Sequence, residues 1–126
     1  MNTNWNWTPV LIFGGVAVVV FLLQRSGLIS PRAARAYLNQ GALVVDVRSP
    51  GEFGSGHLSA AINLPLDEIA TALPRRVPDK NQVLLLHCQS GIRSSLAKQK
   101  LRRLGYARAF NLGSFARARR LVESRN

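Results

Sequence analysis

Apolar residues occur in short, dense blocks separated by stretches of helical character. Leu43-Val44-Val45-Asp46-Val47 and Val83-Leu84-Leu85-Leu86-His87 are nearly continuous apolar runs, as expected of strands covered on both faces. Ala61 to Leu64 and Ala109 to Leu112 are shorter runs of the same kind. Between them lie helix signals. Ser30-Pro31 pairs an N-cap with a proline at the first helical position, and that helix stops near Gly41. A short helix is expected from Asp67 to Leu73, ended by Pro74, another from Ser94 to Leu104, ended by Gly105, and a last one from Ser114 to Val122. Arg48 to His57 carries Pro50, Gly51, Gly54 and Gly56 and predicts a loop. Strands alternating with helices predict an α/β domain, with a central, mainly parallel sheet and helices on both faces.

One segment departs from this pattern. Pro9 to Leu23 is apolar throughout, and the first 24 residues hold no Lys, Arg, Asp or Glu. Extended from Trp5 to Gln24, a helix here reaches about 30 Å, the thickness of a bilayer core. Trp5 and Trp7 are placed as interfacial aromatics and Arg25 as the far anchor. No basic residue precedes the run and no small-x-small site follows it, which argues against a cleaved signal peptide. Its all-round apolarity argues against a helix of a soluble domain. The expected organisation is an outside tail over 1–8, a transmembrane helix over 9–24, a linker over 25–29 and a domain over 30–126. Arg25, Arg32 and Arg35 flank only the C-terminal side, so the positive-inside rule puts the domain in the cytoplasm, held at the inner membrane by a single pass.

Charge then narrows the partners. All 17 Lys and Arg and all 6 Asp and Glu lie from Arg25 onward, giving that part the whole net charge of +11. Lys98, Lys100, Arg102, Arg103, Arg117, Arg119 and Arg120 predict a basic face, either solvated or turned to an anionic surface. No nucleic-acid reader motif accompanies them, so no nucleic-acid partner is expected. A single cysteine excludes an internal disulfide, and no Cys/His cluster has zinc spacing, so no metal or other cofactor is expected.

That cysteine is the most informative residue. Cys88 stands between a strand end and a helix start, where unpaired backbone N–H groups and the positive end of the helix dipole converge. Such surroundings stabilise a thiolate. Gln89, Ser90, Gly91, Ile92, Arg93 and Ser94 are the expected cradle: Gly91 permits a tight curl, and Arg93 is free to bind an anion or to pair with a carboxylate. The thiol must be ringed by amides and not enclosed in apolar interior. His87 points to the opposite face of a regular strand, a structural position.

Two stretches together resemble the rhodanese family. Asp46-Val47-Arg48-Ser49-Pro50-Gly51-Glu52-Phe53-Gly54-Ser55-Gly56-His57-Leu58 is similar to its N-terminal signature, and Ala60 to Pro65 to the segment that follows it. Cys88 to Arg93 resembles its active-site loop. The resemblance runs from about Ile29 to Val122. It implies a three-layer rhodanese-like domain and a sulfurtransferase in which Cys88 carries a sulfane sulfur as a persulfide. The sulfur would come from a small donor such as thiosulfate and pass to a thiol or cyanide. It also implies that Asp46 and Arg48 mainly brace the active-site loop. Glu52 and His57 are counted with these bracing residues, and a thiolate needs no general base from His57.

Two other functions compete: a noncatalytic rhodanese-like module that docks a partner at the membrane, and a phosphatase or arsenate reductase. Those enzymes use Cys-x5-Arg, whereas Cys88 and Arg93 are spaced Cys-x4-Arg, a tighter ring suited to one sulfur atom. Ala60 replaces a usual glycine. Gly113 to Ala118 lacks the usual tryptophan and has Ser114 in place of a second glycine, which bears on the entrance wall and the last helix.

Overall fold

The computed structural model describes residues 4–124, without the side chains of residues 23–26. Its centre is a four-stranded, wholly parallel sheet ordered β2-β1-β3-β4. The strands are β1 (Leu43–Asp46), β2 (Ala61–Asn63), β3 (Leu84–His87) and β4 (Ala109–Gly113). The helices are α1 (Thr8–Ser26), α2 (Pro31–Asn39), α3 (Pro50–Ser55), α4 (Ile69–Arg76), α5 (Ile92–Arg103) and α6 (Phe115–Glu123). β1 and β3, the two densest apolar runs, occupy the middle, where both faces must be covered.

Side-chain alternation divides the core into two layers. Val45, Leu84, Leu86 and Cys88 pack with Ile69, Leu73, Ala97 and Leu101 of α4 and α5. Val44, Leu85 and Leu112 pack with Ala34, Leu38, Ala118 and Leu121 of α2 and α6. The result is the expected α/β architecture with a parallel sheet between helices. Parallel strands aim their carboxyl ends at one edge. β1 and β3 run in register, with Asp46 opposite His87, so Asp46 and Cys88 emerge beside each other.

Several elements differ from expectation. Arg48 to His57 is not all loop, because α3 forms within it. Ser49 caps α3, Pro50 opens it, and Ser49 and Glu52 close a reciprocal capping box. Three local start signals thus outweigh three glycines. Pro74 lies inside α4 and does not end it, the helix running on to Arg76. α5 begins at Ile92, which places Arg93 in its first turn.

The membrane expectation is corrected. α1 is helical, but among the described residues no helix is long and apolar enough to cross a membrane. The described apolar side chains of α1 run from Pro9 to Leu22, about 21 Å at 1.5 Å per residue, against a hydrocarbon core of about 30 Å. The single-pass helix over 9–24, the inner-membrane location and the cytoplasmic orientation built on it are therefore not upheld. Residues 1–3 of the expected tail and the side chain of Arg25, the expected anchor, lie outside the described residues. The expected linker is partly docked. Leu28 bridges to Asn111, and Ile29 donates its N–H to the Asn111 carbonyl at 3.0 Å.

Candidate active site

β3 delivers Cys88 to a four-residue turn, and Gly91 reverses the chain into α5. Gly91 has φ +94°, a conformation that costs a side-chain-bearing residue dearly. It also lies hard against β4, since a Cβ there would sit 3.2 Å from the Gly113 Cα. The curl points N–H groups inward. The Gly91 N–H donates to the Cys88 Sγ at 3.0 Å, and the Ser94 hydroxyl donates to it at 3.5 Å. Burial, the largest single influence, pushes the Cys88 thiol up. The Ser94 hydroxyl and the backbone N–H groups of Ser94, Gly91 and Ser90 together outweigh it, and the thiol titrates below its ordinary value.

Cys88 has no solvent-exposed surface and belongs to the core layer beneath α4 and α5. The requirement that it not be enclosed is thus met on one side only. It lies in an apolar layer, while its sulfur takes hydrogen bonds from the Gly91 N–H and the Ser94 hydroxyl. Gln89 and Ser90, the outer residues of that loop, are exposed. A groove of about 530 Å³ passes Leu28, Ser90, Gly91, Ile92 and Leu96 on one side. A polar cleft of about 400 Å³, lined by Arg48, Glu52, His57, Gln89, Phe115 and Arg119, opens on the other.

The bracing residues divide into two groups. Asp46 takes Arg48 in a buried fork, with the Arg48 terminal nitrogen 2.8 Å and Nε 3.0 Å from Asp46 Oδ2. The same guanidinium donates to the Gly56 carbonyl at 2.7 Å and stacks on Phe115 at 4.6 Å. This pair fixes the end of α3 and makes no hydrogen bond to the Cys88 loop. Its link is indirect, through Phe115, whose N–H donates to the Gln89 carbonyl at 3.2 Å. Glu52 acts on the loop directly. Its carboxylate receives both terminal nitrogens of Arg93, at 2.6 and 2.9 Å. The Arg93 hydrogen bond holds Glu52 down to about 2. Glu52 in turn raises Arg93, helped by the charge of Cys88. His57 stands apart. It is exposed, stacks on Phe53 with centroids 3.7 Å apart, and bonds the Phe53 carbonyl at 2.8 Å.

His87 faces the other layer, as alternation requires. It is fully buried, near Phe115 and with Nε2 3.8 Å from Asp46 Oδ2. Burial pushes its pKa down, so it is neutral at pH 7.

Sequence reasoning missed the wall behind the loop. Asn111, nearly buried, donates to the Gly91 carbonyl at 3.2 Å and accepts from the Gly113 N–H at 2.9 Å. The Cys88 N–H bonds the Gly113 carbonyl at 3.3 Å, and Ser90 bridges to Ser114. A polar side chain inside the apolar run Ala109 to Leu112 was the available signal. Ser114, which stands where a glycine is usual, serves as the N-cap of α6. Ala60 lies in an exposed turn before β2.

Three of the seven residues of the expected basic face bond carbonyls of the domain, while Lys100, Arg103, Arg119 and Arg120 are exposed. Lys98 donates to the Gly27 carbonyl, Arg102 to Ala109, and Arg117 to Leu112 and Ile29. Among the described residues, no group of three or more His, Cys, Asp or Glu side chains is placed to hold a metal ion.

A parallel sheet that lifts one thiol into a ring of main-chain amides defines a class of α/β domain built on a strand-end cysteine. Residues 30–117 match the rhodanese-like domain family, and the chain belongs to it. Among curated proteins it is 38% identical over 69 residues to thiosulfate sulfurtransferase PspE of Escherichia coli, covering 55% of this chain and 66% of that protein. It is 30% identical over 84 residues to thiosulfate sulfurtransferase GlpE of Stutzerimonas stutzeri, covering 67% of this chain and 75% of that one. Among solved structures it resembles the human single-domain sulfurtransferase TSTD1, with a TM-score of 0.64 at 31% identity, covering 73% of this chain and 94% of that one. The chain spans about two thirds of the length of PspE and 55% of the uncharacterised YqhL of Bacillus subtilis.

Proposed function

We propose that the chain is a sulfurtransferase in which Cys88 carries a sulfane sulfur. The observation that carries this is the approach of the Gly91 N–H and the Ser94 hydroxyl to the Cys88 sulfur, with no acidic side chain among its hydrogen-bond partners. The Cys88 thiolate attacks the outer sulfur of thiosulfate. The new S–S bond forms as the old one breaks, and sulfite leaves with the electron pair. The product is the Cys88 persulfide anion. An acceptor thiolate or cyanide then attacks its terminal sulfur and takes it as a persulfide or as thiocyanate, and Cys88 leaves as thiolate. Both enzyme forms are anions centred on sulfur. Fixed amide dipoles stabilise both without reorganising. Arg93 would offset the donor's charge, Glu52 and Asn111 would hold the loop directly, and Asp46 and Arg48 would act on it only through Phe115. The Cys-x4-Arg spacing favours one sulfur atom over a tetrahedral phosphate.

Mass spectrometry of the full chain after thiosulfate treatment tests this. The expected product is one added sulfur atom on Cys88, absent from Cys88→Ser and removed by cyanide. An unmodified wild-type chain contradicts the proposal. The complete burial of Cys88 favours a second reading, a noncatalytic rhodanese-like docking module. Such a module predicts that Cys88→Ser preserves cellular function. A phosphatase predicts hydrolysis of a generic aryl phosphate.

A further inference from the structure

Carboxylates are scarce in this chain, with 6 against 17 Lys and Arg. One of them, Glu52, is bound to Arg93, which follows the Cys88 turn in the first turn of α5. The fork is end-on: the two terminal nitrogens of Arg93 meet the two oxygens of Glu52. That edge of a guanidinium is the one best matched to a planar carboxylate or to two oxygens of an oxyanion, and it takes one such partner at a time. Glu52 is also pre-placed. The Ser49 N–H and hydroxyl donate to its Oε1 at 3.3 and 3.1 Å, so the capping box keeps the carboxylate in position if Arg93 turns away. Finally, the pair is exchangeable. Both side chains are 36% exposed, and pairs so exposed contribute little net stability. The buried fork of Asp46 on Arg48 has no such freedom.

We propose that Glu52 is a specificity-determining residue: it occupies the Arg93 fork in competition with the oxyanion end of a sulfur donor and, once displaced, repels that donor, so the site disfavours dianionic donors relative to monoanionic ones. The inference rests on the sulfurtransferase reading. With its pKa near 2, Glu52 stays ionised throughout the working range, and mild acid does not relieve the competition.

Steady-state kinetics of the full chain with two donors test it. Thiosulfate is a dianion that releases sulfite, and methanethiosulfonate is a monoanion that releases methanesulfinate. Both leave the same Cys88 persulfide. Glu52→Gln keeps the capping box while removing the charge. It is expected to lower KM for thiosulfate about threefold to tenfold and to raise the kcat/KM ratio of thiosulfate over methanethiosulfonate by at least about threefold. Glu123→Gln removes an equal charge from the same cleft without touching Arg93 and is expected to leave the ratio unchanged. An unchanged or lower ratio in Glu52→Gln, or an equal rise in Glu123→Gln, overturns the proposal. A folding-independent measurement uses the wild type: titration with inorganic sulfate, an unreactive stand-in, should shift the carboxyl carbon resonance of Glu52 as Arg93 is drawn away. No shift at saturating sulfate overturns it. The sulfate titration decides the role of Glu52 even if neither donor modifies Cys88, an outcome that sinks only the sulfurtransferase reading.

Discussion

The two central strands end on two acidic side chains that are held in opposite ways. Asp46, the last residue of β1, is matched by a guanidinium two residues away, completely buried and bonded through both its oxygens. Cys88, one step beyond the register partner of Asp46, is matched mainly by N–H and O–H dipoles of its own loop. A buried ion pair fixes structure, because opening it leaves a charge stranded. Dipoles stabilise a sulfur anion without covering it with a counter-ion, so the lone pair remains available for chemistry. Arg93, the cation of the same loop, is engaged by Glu52. The difference separates a brace from a reactive group, though both stand at the carboxyl end of adjacent strands in one sheet.

The largest effect should come from breaking the brace. Arg48→Ala leaves Asp46 buried and unpaired, and the expected loss is about 3–5 kcal/mol of unfolding free energy, read from urea denaturation. A loss under about 1 kcal/mol would mean that Asp46 finds other partners and that the pair is not the brace described. Next comes the dipole ring. Gly91→Ala forces a side chain into φ +94° and against Gly113, at a cost of about 1–3 kcal/mol. Because the strain falls on the donor nearest the sulfur, sulfur transfer should fall by more than tenfold. Retained transfer would show that the ring geometry is not needed.

The smallest effect concerns His87, which lies between the two ends. Its folded pKa is lowered by burial, so the unfolded chain binds a proton that the folded chain does not. Stability should be level above the unfolded value of about 6.5 and should decline as pH falls below it, with a slope of at most about 1.4 kcal/mol per pH unit. Urea midpoints on either side of that value check the sign. A rise in stability on acidification would mean that His87 is protonated against Asp46 in the fold.

Much of this was legible in the sequence. The runs around Val44 and Leu85 could only be covered strands, and the strand–Cys88–helix order put the thiol at a sheet edge. What stayed hidden was set by contacts distant in sequence. Arg93 and Glu52 meet across 41 positions, and Asn111 reaches back to Gly91 across 20. Charge counting likewise does not show that Lys98, Arg102 and Arg117, three of the seven residues of the basic face, bond carbonyls within the domain. α3 was misread because its glycines were weighed above the capping box of Ser49 and Glu52. The apolar run of α1 misled because its composition resembles a span, while its described apolar length falls short of one.

The central claim is that loop dipoles lower the pKa of the Cys88 thiol despite its complete burial. Ultraviolet titration of the thiolate in the full chain, with Cys88→Ser as the blank, tests it most directly. A midpoint below the ordinary thiol range, moved upward by Ser94→Ala, is the predicted result. A midpoint at or above about 8–9 in the wild type contradicts it.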